Sequence, residues 1–195
     1  MKNAILLSGG IDSASIAYWI KPDLAININY GQKCAEAELR ASAAIAKAIK
    51  IKLININIDC SSLGSGDLTG NKPIKIAPVS EWWPFRNQLL ITMASMKAIN
   101  FGIKELIFGA VITDSKHTDG TLKFYKKINE LIQYQEGKIK ISVPAIKMTS
   151  EQLVLKSKIP LSILGWTHSC HVSNYPCGIC NGCSKHIQTK QKINI

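Results

Sequence analysis

Five short stretches of the chain are rich in apolar residues, at 3–7, 24–29, 51–58, 105–110 and 139–143, and their length and β-branched content read as strands. Between them, residues 13–20, 34–50, 86–100, 121–136 and 150–158 place apolar residues at the three- and four-residue spacing of a helix. Strand and helix alternating in this way predict a doubly wound α/β domain. Its five strands form a mostly parallel sheet in the order 3-2-1-4-5, with helices on both faces.

Finer patterning adds detail. Strands covered on both faces are apolar throughout, as "AILL" and "ELIFGA" are, whereas "LAININ" and "LININI" put Asn27, Asn29, Asn55 and Asn57 at every second position. This predicts a less well covered face on the second and third strands, which that order places together at one edge. In the helix over 121–136, Leu122, Tyr125, Ile128, Leu131 and Ile132 form the inward stripe and the lysines face water. "TSEQ", 149–152, is a capping box that opens the last helix of the core. A Ser/Gly-rich stretch at 61–70 and "KPIKIAPVSEWWP" up to 84 make a long connection of the kind that often serves as a lid.

The chain has 195 residues, enough for one domain, expected at 1–165, with a small cysteine module at 166–195. No apolar run approaches the ~20 residues that span a bilayer, and "MKNAILL" leads straight into a glycine turn, so a cytoplasmic protein without membrane contact is expected. The formal charge is +11, yet among 24 basic residues only Arg40 and Arg86 are arginine, and Lys, Ile and Asn are abundant throughout. That charge reads as solvated surface lysine, with a site for a polyanion, ATP included, as the alternative. The two arginines draw more interest.

Two motifs carry chemistry. In "LLSGGIDSAS", residues 6–15, Gly9 and Gly10 let the backbone take positive φ and approach a ligand, and the helix that follows points free N–H groups at an anion. Ser8, Ser13 and Ser15 add hydroxyl donors, and phosphate is the natural guest. Neither the Walker Gly-Lys-Ser/Thr nor the dinucleotide G-x-G-x-x-G pattern is present. Near the other end, Cys170, Cys177, Cys180 and Cys183 form a C-x6-C-x2-C-x2-C array. Four thiolates suit a closed, structural tetrahedral Zn2+ site, with Gly178 and Gly182 allowing tight turns. His171 or His186 in place of one cysteine, or an Fe–S cluster, are the alternatives, while Cys34 and Cys60 look like ordinary small buried residues.

"SGGIDS" resembles the SGGxDS signature of the PP-loop ATP pyrophosphatase superfamily. That resemblance implies the adenine nucleotide alpha hydrolase-like fold and an ATP loop comprising Leu7, Ser8, Gly9, Gly10, Ile11, Asp12, Ser13, Ala14, Ser15, Ile16 and Ala17. The loop would grip pyrophosphate while AMP is transferred, with Mg2+ on Asp12. "INYGQK" at 28–33, "FRN" at 85–87, "IFGAVITD" at 107–114 and "HSC…CGICNGC" extend the resemblance to the 7-cyano-7-deazaguanine synthases of the queuosine pathway, from residue 4 to about 186.

The family resemblance implies a homodimer that converts 7-carboxy-7-deazaguanine to the nitrile with ammonia and two ATP. Arg86, beside the further candidate Asn87, would meet the substrate carboxylate or α-phosphate, Tyr30 and Gln32 an adenine or deazaguanine ring, and Asp114 the guanine-like edge or the metal. Departures stand beside it. "SKHTDG" at 115–120 replaces the usual Ser-Gly-Tyr-Pro-Asp-Cys-Arg run, Cys34 a common histidine, and "PFRN" a small-residue lead into Arg-Asn. A divergent paralogue joining the deazapurine carboxylate to another amine, and a tRNA-modifying PP-loop enzyme, stay open as alternatives. Nucleic acid or an acceptor protein would then be the partner.

Overall fold

The five predicted strands all form: the first, second and fourth are covered on both faces, and the third, at the edge, packs its apolar residues inward and leaves Asn55 and Asn57 exposed. The computed structural model describes residues 1–194, so the last residue of the module expected at 166–195 lies outside the described residues. The strands are β1 (Asn3–Leu6), β2 (Leu24–Asn29), β3 (Lys52–Asn57), β4 (Glu105–Ile107) and β5 (Lys140–Ser142). All pair in parallel, in the order β3-β2-β1-β4-β5. The predicted helices are α1 (Ile11–Ile20), α2 (Ala35–Ala48), α3 (Arg86–Ile99), α4 (Leu122–Tyr134) and α5 (Ser150–Ser157).

Consecutive strand residues feed opposite cores. Ile5, Leu7 and Ala25 meet Ile11 and Ala14 of α1, Ile45 of α2 and Leu153 of α5 on one face. Ala4, Leu24 and Ile26 meet Ile91, Ala94 and Ala98 of α3 and Tyr125, Ile128 and Ile132 of α4 on the other. The capping box at Thr149 forms as predicted, with Gln152 N donating to Thr149 Oγ1 and Thr149 N to Gln152 Oε1.

Some expectations need correction. Asn55 and Asn57 on the edge strand β3 are exposed, but Asn27 on β2 is buried, and its amide Nδ2 donates to the Leu7 carbonyl at 3.0 Å. The asparagine alternation therefore marks an open face on one strand and a brace for a loop on its neighbour. The α4 stripe differs from its periodicity: Leu122 and Leu131 are exposed, and α4 meets the core through Tyr125, Ile128 and Ile132, with Phe124 packed beside them. The long connection folds down on the domain in two 3-10 turns, Ser61–Leu63 and Gly66–Leu68, and buries Trp83 edge-on against Tyr30 at 4.9 Å.

Two further helices, α6 (Leu161–Leu164) and α7 (Asn181–Lys192), carry no periodic signal strong enough to predict. Strand order reverses at β1, so the loops after β1 and β4 diverge and leave a crevice at their carboxyl ends.

Candidate active site

The glycine turn is held from beneath by β2. Leu7 N donates to the Ile26 carbonyl at 2.8 Å, and Asn27 satisfies the Leu7 carbonyl. Gly9 has φ 85°, and a Cβ there would lie 2.6 Å from that of Ala41. Only one of the two glycines needs the left-handed region, however: Gly10 is extended, with φ −72° and ψ 160°. Gly10 caps α1 with no side chain, which leaves the N–H groups of the first turn free for an anion.

Ser8 Oγ is exposed, accepts from Gly10 N at 3.3 Å and lies 3.1 Å from Ser13 Oγ. Ser15 does not join them. It is buried and donates to the Ile11 carbonyl at 2.7 Å, so it braces the helix. Leu7, Ile11, Ala14, Ile16 and Ala17 are buried and form the wedge on which the loop sits.

Above the loop stand two carboxylates and a lysine that sequence reasoning did not single out. Lys185 Nζ, from α7, donates to Asp12 Oδ2 at 2.9 Å and to Asp114 Oδ1 at 3.1 Å. Asp114 Oδ2 also accepts from Val111 N at 3.0 Å, while Asp12 Oδ1 is enclosed without a partner. Burial pushes the Asp12 carboxyl up, against the pull of Lys185. Burial disfavours the Lys185 charge too, but the two carboxylates outweigh it and hold its pKa above the usual range.

The opposite wall comes from β2, α2 and α3. Arg86, the first residue of α3, faces Tyr30, Asp119, Glu38 and Asp114; burial works against its charge, and these groups more than restore it. Tyr30 is buried, which raises its hydroxyl pKa. Gln32 is fully engaged: Oε1 accepts from Tyr30 N at 2.8 Å, and Nε2 donates to the Ile28 carbonyl at 3.2 Å and to Glu38 Oε2 at 2.7 Å. Glu38, another residue the motifs did not flag, has its pKa raised by burial.

Asn87 pins the unusual 115–120 loop, its N accepted by Asp119 Oδ2 at 3.1 Å and its Nδ2 by the Asp119 carbonyl at 2.9 Å. Arg40, the other arginine, lies apart on α2 and donates to the Asn174 carbonyl at 3.3 Å.

The four cysteine sulfurs converge to within 4.8 Å of one another, with Cys177–Cys183 at 3.9 Å and Cys170–Cys180 at 4.0 Å. A tetrahedral zinc with Zn–S bonds near 2.3 Å separates its sulfurs by about 3.8 Å, so the set fits such an ion. Backbone N–H groups of Ile179 and Cys180 lower Cys177 to about 6, while burial pushes Cys180 and Cys183 up. Neither histidine competes for the position: His186 Nδ1 pairs with Ser169 Oγ at 2.9 Å, and the His171 ring packs over Gly182.

Gly178 makes the expected turn with φ 79°, whereas Gly182 lies inside α7. A Cβ on Gly182 would collide with the Ser169 carbonyl. Cys180 Sγ caps α7, accepting from Cys183 N at 3.4 Å, so the ligand set and the helix that carries Lys185 are one construction.

Comparison with known proteins matches this arrangement to one family. The family model described as queuosine biosynthesis protein QueC covers residues 2–193. The chain belongs to the QueC family. A 7-cyano-7-deazaguanine synthase of Chloroherpeton thalassium is 30% identical over all of this chain and 94% of its own length. Synthases of the same name from Nitratiruptor sp. (31% identical, 98% of this chain, 94% of that protein) and Methanocaldococcus jannaschii (26%, 95% and 92%) align as fully.

Among solved structures, the U34-tRNA thiolase NcsA from Methanococcus maripaludis with its [4Fe-4S] cluster superposes with a TM-score of 0.55. It is 16% identical and covers all of this chain and 65% of its own, a likeness of fold. Membership fits the doubly wound sheet, the glycine loop and the carboxy-terminal cysteines. No helix among the described residues is long and apolar enough to cross a membrane.

Proposed function

We propose that this QueC-family chain makes 7-cyano-7-deazaguanine from 7-carboxy-7-deazaguanine, free ammonia and two ATP, as a cytoplasmic homodimer. Residues 1–165 form its nucleotide domain and 166–195 its zinc module. The observation that carries the reading is the meeting of an uncapped helix N-terminus, Asp12, Asp114 and Arg86 at one crevice of a QueC-family fold.

The chemistry follows from leaving groups. A carboxylate resists attack because charge must be added to an anion. Transfer of AMP to one carboxylate oxygen expels pyrophosphate and leaves a carbonyl that ammonia can attack; AMP departs, a proton is lost, and the amide remains. AMP transferred to the amide oxygen makes that oxygen a leaving group, and loss of AMP and the two N–H protons gives the nitrile.

The N–H groups of the first turn of α1, with Ser8 and Ser13, would bind the departing pyrophosphate. Arg86, a planar fork, would hold the substrate carboxylate or the α-phosphate. Asp12 and Asp114 would hold Mg2+, which neutralises phosphate charge. Tyr30 and the turn clamped by Gln32 would border the ring, and Asn87 would set the 115–120 loop beside it. Zn2+ in the four-cysteine cluster would be structural.

The test supplies 7-carboxy-7-deazaguanine, ATP, Mg2+ and ammonium and weighs the products by mass spectrometry. Nitrile with two AMP per turnover is expected; ADP as the nucleotide product would refute the scheme. One observation favours a second reading, amide formation with another amine. Of the replaced loop, His117 lies 4.0 Å from Glu81 and Asp119 bonds Asn87 next to Arg86, so the altered segment packs beside a proposed substrate residue. Amide as sole product with ammonium, or turnover only with an added amine, would select it.

A further inference from the structure

The glycine loop lacks the lysine by which Walker-type loops reach phosphate, and here a lysine arrives from 173 residues away. Lys185 spans two carboxylates contributed by different parts of the fold, Asp12 at the start of α1 and Asp114 after β4. We propose that Lys185 is the movable cation of the phosphate site. Without nucleotide it fills the divalent-metal position between Asp12 and Asp114; when Mg2+ and nucleotide bind, it gives up those carboxylates and pairs with phosphate oxygens. The inference rests on the proposed function in taking a nucleotide as the guest.

Three observations carry it. The first is charge. Lys185 offsets one of the two carboxylate charges it touches, whereas a divalent ion in its place offsets both and frees the ammonium for an anion. The second is the enclosed Asp12 Oδ1, which Lys185 does not reach: the ammonium holds Oδ2, and the only other side chain that lowers the Asp12 pKa is the buried Ser150 hydroxyl. A carboxylate oxygen in that position is satisfied by a cation that can bind both oxygens or by a rearrangement of the pair.

The third is how α7 is fixed. Cys180 and Cys183 hold its start, Asn181 Nδ2 donates to Glu81 Oε2 at 2.7 Å, and Lys192 reaches Glu151 at 2.6 Å on the far side. The helix therefore does not need the Lys185 contacts for its placement. A four-carbon stem one-third exposed can swing its ammonium by several ångströms while its backbone stays in place. Metal in the cysteine cluster then sets where this cation stands.

The experiment titrates Mn2+ into zinc-loaded, nucleotide-free protein, followed by electron paramagnetic resonance, and measures binding of a non-hydrolysable ATP analogue with Mg2+ by calorimetry. Lys185→Met is expected to bind one Mn2+ at least tenfold more tightly than native protein and the ATP analogue at least tenfold more weakly. Lys185→Arg keeps the charge and is expected to stay within threefold of native in both. Zinc content and circular dichroism verify each fold, and Lys185→Gln takes the place of the methionine variant if that one does not fold. Equal Mn2+ affinity in native and Lys185→Met protein overturns the inference and leaves the proposed function standing. Failure of native protein to bind the analogue at all overturns the proposed function and, with it, this inference.

Discussion

The two ends of the chain meet at the same crevice, yet they are held there by opposite means. The amino-terminal strand, turn and helix are fixed by burial, with Leu7, Ala14, Ile16 and Ala17 wholly inside the core. The carboxy-terminal helix α7 buries only Gly182, Cys183 and Thr189 and owes its start to four sulfurs. The first half of the site is thus as stable as the domain itself. With the proposed zinc in place, the second would be as stable as that ion, so the two should fail separately.

Stripping the metal is the strongest way to break that comparison. A structural four-cysteine zinc contributes on the order of 10 kcal/mol. Chelation, or Cys183→Ser, is therefore expected to release α7 while the sheet survives, read as loss of amide hydrogen-exchange protection over 181–192 with none over β1 and β2. Loss of protection throughout the chain would show that the halves are one cooperative unit.

Truncating the core should do the reverse. Ile16→Ala is expected to cost about 2–5 kcal/mol in denaturant unfolding and leave zinc content unchanged. Asn27→Ala probes the loop more finely, since it strips the Leu7 carbonyl of its side-chain donor. About 1–3 kcal/mol should be lost, with weaker nucleotide binding although Asn27 is buried.

Phe85 stands between the halves and sharpens the contrast. It is 76% exposed and holds φ 56°, a left-handed conformation that bulky residues avoid, at the residue where this chain departs from the usual small-residue lead into Arg-Asn. Phe85→Gly is expected to stabilise the fold by roughly 1 kcal/mol in denaturant unfolding.

The smallest effect concerns the outer anchor of α7. Hydrogen bonds from Lys192 and Thr149 hold Glu151 down to about 2. A depressed carboxylate pKa adds stability above its ordinary value near 4.5, and that stability is lost as pH falls towards 2. Native protein should therefore exceed Glu151→Gln in denaturant-unfolding free energy at neutral pH, by less than about 1 kcal/mol for so exposed a lysine partner, with the gap closing by pH 2.

How much was legible depended on where each physical signal resides. Ile5 and Leu7 announce a buried strand because every neighbour that covers them leaves its mark on the local pattern. Gly9 announces a turn because its φ is a local property, although Gly10 beside it looked the same and is extended. The four cysteines announce a metal through spacing. Lys185, in contrast, is one lysine in a lysine-rich chain, and the cysteine array two residues before it says nothing of the carboxylates at 12 and 114 that it meets. The helix α7 was illegible for a related reason: sulfur and a glycine contact, not an apolar stripe, hold it. Glu38 and Asn27 likewise read as ordinary polar residues until their partners are in place.

By itself, then, the chain's pattern determined the sheet, its order, the phosphate-type turn, the thiol cluster and the family, since each is written in periodicity or in closely spaced residues. Only the tertiary structure decided which carboxylates share a cation, which serine turns away and which asparagine braces the loop. Those outcomes depend on distances between residues 12, 114 and 185, and such distances come from packing, which leaves no trace in any single stretch of sequence.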